Sequence, residues 1–172
     1  MAQLILITGG ARSGKSACAE SFIGDEPAVP VTYVATAEAL DEEMAERIRR
    51  HRARRPARWR TVEAPRDADR RLADLAAEPG WIILDCLTLF LANILDDSDD
   101  EAILDRVDAM AETAAGGRAD TIVVTNEVGA GIVPANPTAR RFRDLAGLAN
   151  QTVARRATEV YVTVVGIAQR LK

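Results

Sequence analysis

A glycine-rich segment near the start of the chain has the residue types and the spacing of a phosphate-binding loop (P-loop). Residues 9–16 fit the pattern G-x-x-x-x-G-K-[ST] at every fixed position, and they follow an apolar run of strand length. Glycines let backbone N–H groups approach phosphate oxygens closely, and the amino end of the following helix adds partial positive charge. Lys15 would reach the β- and γ-phosphates of a nucleotide, and the Ser16 hydroxyl would bind Mg²⁺. The predicted phosphate contacts are Gly9, Gly10, Ala11, Arg12, Ser13, Gly14, Lys15 and Ser16.

An aspartate at the end of a second apolar run supplies a candidate partner for the same metal ion. Residues 81–84 are apolar and Asp85 follows them directly. In P-loop proteins a strand of this form carries the carboxylate that holds Mg²⁺ or a water bound to it. Strands also end in aspartate for reasons of turn geometry, so the nearby P-loop is what favours a metal site made of Ser16 and Asp85.

The single histidine of the chain lies among cations. His51 precedes Arg52, Arg54 and Arg55 at the predicted carboxyl end of a helix. A surface histidine stabilised by the helix dipole is one interpretation. A neutral imidazole is also a nucleophile at phosphorus, and neighbouring cations would lower its pKa and keep it neutral. The residue types leave both interpretations open.

Apolar runs and helical patterns alternate along the chain, and this alternation predicts how these groups come together. Strands are predicted at residues 4–8, 31–36, 59–63, 81–85, 120–125, 159–165 and 167–171, and helices at 17–23, 40–54, 67–77, 87–95, 101–115 and 138–158. The expected fold class is α/β, with a mainly parallel sheet and helices on both faces. Together with the P-loop, this fold class predicts a RecA-like P-loop NTPase, expected as one domain over residues 1–172.

Two local details refine this expectation. The strand at residues 31–36 ends in small residues, which leave room for a nucleotide at the carboxyl edge of the sheet. In the helix predicted at residues 40–54, Leu40, Met44 and Ile48 are spaced to form an apolar stripe. A turn is predicted over residues 24–30.

Composition excludes several classes of protein. The 172 residues are 48% hydrophobic, which excludes disorder, and the net charge of −4 argues against general nucleic-acid binding. Arginines are concentrated in residues 47–60, and such a local basic patch suits a small polyanionic ligand. No apolar stretch reaches transmembrane length and no signal peptide is visible, so a cytoplasmic location is expected. The two cysteines are far apart and are expected to be reduced thiols.

Several segments, spread over nearly the whole chain, resemble one enzyme family. They are the P-loop, residues 33–36 with 41–44, residues 51–56 with 59–63, residues 124–134, and residues 141–144 with Gly147, Asn150 and Gln151. The P-loop is generic, whereas the pattern His…Arg-Pro…Trp-x-Thr-x-Glu and the loop Thr-Asn-Glu-Val-Gly are specific. Together they resemble the bifunctional adenosylcobinamide kinase / adenosylcobinamide-phosphate guanylyltransferase family of cobalamin biosynthesis.

The resemblance implies two reactions. The first transfers the γ-phosphoryl group of ATP or GTP to the aminopropanol hydroxyl of adenosylcobinamide, a corrinoid. The second moves GMP from GTP to that phosphate and gives adenosylcobinamide-GDP and pyrophosphate. In the family a histidine first carries the GMP, and this role falls on His51, with Lys15 as the second catalytic residue. The resemblance also implies Mg²⁺ as cofactor and a homotrimer.

The resemblance extends the nucleotide site beyond the P-loop. Glu63 would accept hydrogen bonds from the guanine N1–H and amino group, although a solvated strand end is the other interpretation. Family members can carry an acid other than Asp at the position of Asp85, so the resemblance supports its place in the site more than its binding of Mg²⁺. The contacts predicted outside the P-loop are Ala35, Thr36, Ala37, Arg52, Ala53, Arg54, Arg55, Glu63 and Asp85.

Two other functions are also compatible with these sequence features. A plain P-loop kinase of small molecules would need no covalent intermediate, and His51→Ala would keep full activity. A non-catalytic nucleotide-dependent regulator would bind nucleotide without turnover. Within the bifunctional interpretation, one P-loop must present both the γ- and the α-phosphate, so we expect either the helix at residues 40–54 to move or the nucleotide to bind in two ways.

Overall fold

Helices and strands alternate in the computed structural model, except that the fourth and fifth helices and the last two strands directly follow each other, and the model describes residues 2–24 and 27–172. The strands are β1 (Leu4–Gly9), β2 (Val31–Ala35), β3 (Arg60–Glu63), β4 (Gly80–Asp85), β5 (Ala119–Val124), β6 (Glu159–Val164) and β7 (Ile167–Arg170). The helices are α1 (Lys15–Ile23), α2 (Glu42–Arg54), α3 (Ala68–Ala76), α4 (Leu87–Ile94), α5 (Asp100–Gly116) and α6 (Pro137–Arg156). The predicted element types are confirmed, with ends that differ by one or two residues. The turn predicted over residues 24–30 includes Asp25 and Glu26, which lie outside the described residues.

All seven strands belong to one sheet, in the order β3-β2-β4-β5-β1-β6-β7. Every neighbouring pair is parallel except β6 and β7, which are antiparallel. The mainly parallel α/β sheet predicted from the alternation is therefore confirmed. Its central strands are nearly continuous apolar runs because both faces of the sheet are covered.

Two apolar layers cover the faces of the sheet. Successive residues of β1 point to opposite sides: Leu4 and Leu6 pack in the layer shared with α3, α4, α5 and α6. Ile5 and Ile7 pack in the other layer, with α1, Tyr33 and Trp59. Among residues 2–24 and 27–172, no helix combines the length and the hydropathy that crossing a membrane requires.

Helix α2 is placed differently from the other helices, because none of its residues is buried. It begins at Glu42, since the Asp41 carboxylate caps it by accepting the Met44 N–H at 2.7 Å. Leu40 therefore precedes the helix and is 82% exposed, so its predicted place in an apolar stripe is wrong. Met44 and Ile48 are half-buried.

The strand register aligns the predicted site residues along one edge of the sheet. Ala35 at the end of β2 pairs with Glu63 of β3 on one side and with Asp85 of β4 on the other. The carboxyl ends of these three strands thus form a row that leads toward the P-loop after β1. In doubly wound α/β proteins, ligands bind along this edge.

Candidate nucleotide site

The P-loop takes a conformation that needs glycine at two positions. Gly14 has a φ of 101°, a left-handed conformation, and a Cβ there would lie 3.0 Å from the Gly166 Cα. At Gly9 a Cβ would lie 2.5 Å from the Thr163 carbonyl oxygen. The turn between β6 and β7 supports the loop from behind, since the Gly166 N–H donates to the Ser13 carbonyl at 2.9 Å. The Ser13 and Thr163 hydroxyls add a buried hydrogen bond of 2.7 Å.

The side chain of Lys15 folds back onto this loop. Its Nζ donates to the Gly10 carbonyl oxygen at 2.6 Å, and the residue is only 8% exposed. Burial lowers the pKa of Lys15, whereas the nearby Cys86 and Asp85 oppose that shift. The ammonium group therefore lies within the P-loop, where an entering phosphate would replace the carbonyl as its partner.

The two predicted metal ligands lie side by side. The Ser16 hydroxyl donates to Asp85 Oδ2 at 2.7 Å, and the Tyr33 hydroxyl donates to the same oxygen at 2.5 Å. Burial raises the pKa of Tyr33, and the charge and hydrogen bond of Asp85 add to that effect, so the phenol keeps the proton it donates.

This pair of oxygens fits Mg²⁺ as a partner of bound phosphate. Mg²⁺ is usually held by one or two protein oxygens, with phosphates and water completing its octahedron. A hydroxyl and a carboxylate next to the P-loop are such ligands. In the described part of the chain, no group of three or more His, Cys, Asp and Glu side chains could hold a metal ion, so a site built by protein acids alone is not present there.

His51 lies half-buried at the carboxyl end of α2, close enough to Asp85 for the charge of that carboxylate to act on it. The largest effect on its pKa is burial, which lowers it. Asp85 opposes that shift, whereas Arg54, Arg47 and Arg55 lower the pKa further. Arg54 is directly beside the ring, with Nη2 at 3.5 Å from His51 Nδ1. The ring is therefore neutral at pH 7 and has a lone pair available for a nucleophilic role.

Arg55 has its polar groups engaged inside the protein. Its guanidinium carbon lies 3.7 Å from the centre of the Tyr33 ring. Its Nε donates to the His51 carbonyl oxygen at 3.2 Å, and Nη1 donates to Thr61 Oγ1 at 3.0 Å. By contrast, the other predicted contacts on this segment, Arg52, Ala53 and Arg54, are exposed. Arg55 thus fixes the end of α2 against β2 and β3.

The remaining predicted nucleotide contacts also include both buried and exposed residues. Thr36 is fully buried, and its hydroxyl accepts the Cys86 N–H at 2.7 Å and donates to the Cys86 carbonyl at 2.8 Å. It therefore clamps the ends of β2 and β4 together. Ala35 and Ala37 are half-buried on either side of it, and Glu63 is exposed at the end of the edge strand β3.

The sequence did not identify two side chains that the structure places near Asp85, Ser16 and His51. Tyr33 lies inside a strand, and its type and position gave no signal of a link to Asp85. Glu20 is half-buried on α1, and within the described residues its Oε1 has no hydrogen-bond partner. Burial raises the pKa of Glu20, and the opposing charge of Arg54 is the next largest effect. Its spacing of four residues from Ser16 was the one signal available, because it puts both on one helix face.

A second loop begins next to the P-loop. The Thr125 N–H donates to the Ile7 carbonyl and the Glu127 N–H donates to the Gly9 carbonyl, each at 3.0 Å. Further along, Ile132 is 97% exposed. The loop that follows β5 therefore starts at the nucleotide site and extends into solvent.

Comparisons with known proteins agree with this geometry. A family model described as cobinamide kinase / cobinamide phosphate guanyltransferase matches residues 5–171. The bifunctional adenosylcobalamin biosynthesis protein CobU of Salmonella typhimurium is 45% identical, over 98% of this chain and 99% of its own length. The protein of the same name from Escherichia coli is 43% identical over the same shares. The bifunctional adenosylcobalamin biosynthesis protein CobP of Pseudomonas aeruginosa is 42% identical, over 97% of this chain and 96% of its own.

A solved structure shares the fold at much lower sequence identity. The ATPase EscN of the enteropathogenic Escherichia coli type III secretion system matches with a TM-score of 0.60 and 11% identity. The match covers 95% of this chain and 43% of the EscN chain. With the P-loop geometry above, it confirms the predicted P-loop NTPase fold.

Proposed function

Because this chain belongs to the cobinamide kinase / cobinamide phosphate guanyltransferase family, we propose that it catalyses both reactions of that name. It phosphorylates adenosylcobinamide and then transfers GMP from GTP to the new phosphate, giving adenosylcobinamide-GDP and pyrophosphate. We further propose that His51 carries the GMP between the two substrates. The observation that carries this last step is that His51 is half-buried, within reach of the charge of Asp85 at the end of β4, and has a pKa that burial and nearby arginines lower.

Binding of the triphosphate falls to the P-loop. The Lys15 ammonium group gives up its hydrogen bond to the Gly10 carbonyl and binds phosphate oxygens instead. The backbone N–H groups of the loop bind the other phosphate oxygens. Ser16 and Asp85 hold the metal side of the nucleotide. When bound there, Mg²⁺ neutralises charge that develops on the phosphate oxygens.

In the guanylyl step His51 attacks the α-phosphorus of GTP. A P–N bond forms as the bond to the leaving pyrophosphate oxygen breaks, so one difficult transfer becomes two easier ones. A phosphate oxygen of adenosylcobinamide phosphate then attacks the same phosphorus, the P–N bond breaks and the imidazole is restored. Arg52 and Arg54, which are exposed beside His51, stabilise the added negative charge.

The remaining predicted contacts give specificity and room for the nucleoside. Glu63 accepts the guanine N1–H and amino group, a pairing that adenine cannot make. The small residues Ala35 and Ala37 leave space at the end of β2. Thr36 and Arg55 act in this proposal by holding the strand ends and the α2 end in place.

In the kinase step the γ-phosphoryl group of ATP or GTP passes to the corrinoid hydroxyl. The proposal includes the homotrimer implied by the family resemblance, and molar mass measured by light scattering tests it. It also includes a cytoplasmic location, where both nucleotides are available, and fractionation of the cells tests that.

Labelling with GTP carrying radioactive phosphorus at the α-position tests the covalent step. Wild-type protein should acquire label that is acid-labile and base-stable, as a phosphoramidate is, and His51→Ala should acquire none. Arg58→Ala, a change at an exposed arginine of the same segment, serves as the matched control and should label normally. Wild-type protein that turns over without label, with full activity retained in His51→Ala, would instead support the plain kinase. Nucleotide binding without any turnover would support the regulator.

A further inference from the structure

Tyr33 contacts two parts of the nucleotide site that lie on different elements. Its hydroxyl donates to Asp85 Oδ2 at the end of β4, the same oxygen that accepts from Ser16 of α1. Its ring face lies 3.7 Å from the guanidinium carbon of Arg55, at the end of α2. The residue is 3% exposed, so packing fixes both contacts.

The hydroxyl decides how the carboxylate of Asp85 is oriented. Two donors, Ser16 and Tyr33, converge on Oδ2, which leaves Oδ1 as the oxygen that can face a metal ion or its bound water. Hydrogen bonds to a charged group are about twice as strong as neutral ones, and a ligand so held needs less ordering when the metal binds.

The ring decides how the end of α2 is held. Helix α2 buries none of its residues, so few contacts hold it against the sheet. Arg55 supplies such a contact, since it stacks on Tyr33 while its Nε holds the His51 carbonyl oxygen. A guanidinium stacked on an aromatic face and hydrogen-bonded in its plane is a contact that lysine cannot reproduce.

We propose that Tyr33 is a positioning residue that joins the metal-binding carboxylate Asp85 to the His51 end of α2, through its hydroxyl on one side and through Arg55 on its ring. The inference rests on the proposed function, because it assigns His51 and Asp85 their roles. In this role Tyr33 acts through Asp85 and Arg55, the two residues that it contacts. It makes the position of the nucleophile and the position of the metal ligand depend on one buried side chain.

Three substitutions separate the two contacts. Tyr33→Phe removes the hydroxyl and keeps the ring, Arg55→Lys keeps the charge and loses the stack, and Tyr33→Leu removes both contacts. Tyr161→Phe is the matched control, because that hydroxyl also donates to a carboxylate, Glu159, at 2.6 Å.

Two measurements read these variants without relying on turnover. The first is the Mg²⁺ concentration that gives half-maximal binding of a fluorescent GTP analogue. The second is the NMR signal of the imidazole ring in nucleotide-free protein, which is unambiguous because His51 is the only histidine.

Tyr33→Phe should raise the half-saturating Mg²⁺ concentration about tenfold and leave the His51 signal in place. Arg55→Lys should do the reverse, moving the His51 signal with the Mg²⁺ requirement unchanged, and Tyr33→Leu should do both. Tyr161→Phe should resemble wild type in both measurements.

Wild-type Mg²⁺ dependence in Tyr33→Phe, or an unmoved His51 signal in Arg55→Lys, would overturn the proposal. Failure of the proposed function looks different: wild-type protein would form no guanylyl-enzyme, whereas the His51 signal would still respond to Arg55→Lys. Circular dichroism of Tyr33→Leu checks its fold, and the two milder variants test the proposal if that one does not fold.

Discussion

Removal of one arginine charge beside His51 should make guanylyl transfer sensitive to acid. Arg54 Nη2 lies 3.5 Å from His51 Nδ1, and Arg54 is exposed. Two unit charges at this distance in a water-like dielectric interact by about 1 kcal/mol. Since 1.4 kcal/mol is a factor of ten, this corresponds to about a fivefold change in the ratio of neutral to protonated imidazole.

The sign follows from the charge. The Arg54 cation opposes protonation of His51 and helps to lower its pKa, so Arg54→Gln raises that pKa. In acid, where the ring is partly protonated, the neutral fraction and the labelling rate should fall by up to about fivefold relative to wild type. At pH 8 the ring is neutral in both proteins, so this effect disappears. Loss of a direct contact between Arg54 and GTP would instead lower the rate equally at every pH.

The assay follows the initial rate of labelling from α-labelled GTP between about pH 5.5 and 8.5, at saturating GTP. An NMR titration of the single histidine gives its protonation independently. Arg58→Gln is the control, because it removes an exposed arginine charge of the same segment, beyond the end of α2, that has no role in the proposed transfer. Wild-type and Arg54→Gln rate profiles that stay parallel from pH 5.5 to 8.5, with an unchanged NMR midpoint, would refute the reasoning.

Two further predictions concern the P-loop. Lys15→Met should weaken GTP binding, measured by calorimetry, about 100-fold. The reason is that removing one partner of a buried charge pair, here Lys15 and a phosphate, costs about 2–5 kcal/mol. GTP binding of wild-type strength in Lys15→Met would contradict the assignment of Lys15 to the phosphate site. The free energy of unfolding of this variant should change by no more than about 1 kcal/mol, because the lost hydrogen bond to Gly10 is offset by removal of a buried cation. Gly14→Ala should lower the free energy of unfolding, measured with urea, by about 2 kcal/mol, because Gly14 has a φ of 101° and a Cβ there would contact Gly166. Gly116→Ala is the control and should leave that free energy unchanged, because its Cβ would meet nothing within 4 Å. Equal stabilities of the two variants would contradict this prediction.

Local signals in the sequence predicted the parts of the site that depend on neighbouring residues. The P-loop and its flanking strand and helix are fixed by glycine spacing and apolar runs, so residues 9–16 were predicted with their flanking elements. Asp85 was predicted at a strand end, and the structure brings it within hydrogen-bond distance of Ser16. Mainly parallel pairing followed from the alternation of strands and helices.

What depends on strand order and on side-chain direction was not predictable in the same way. Periodicity does not reveal that β4 lies beside β2, and that register is what aligns Asp85 with Ala35. The same register brings Tyr33 to Asp85. The cluster of arginines in the sequence gave no sign that Arg55 lies over the Tyr33 ring, and its nucleotide contact stays a prediction. Leu40 was misassigned because spacing alone ignored the cap at Asp41.

The surroundings of His51 support the proposal that it is a nucleophile, one of the two interpretations that its sequence context left open. A surface histidine whose role is to stabilise a helix end would interact, as a cation, with the carboxyl end of the helix dipole, and that interaction raises its pKa. In the structure burial and three arginines lower the pKa instead, and the charge of Asp85 opposes them without reversing the shift. Such surroundings penalise the protonated ring, which is unfavourable for a capping cation and favourable for a nucleophile. In the proposed function the P-loop binds the triphosphate, and a ring kept neutral by its surroundings favours attack at phosphorus over a purely structural histidine.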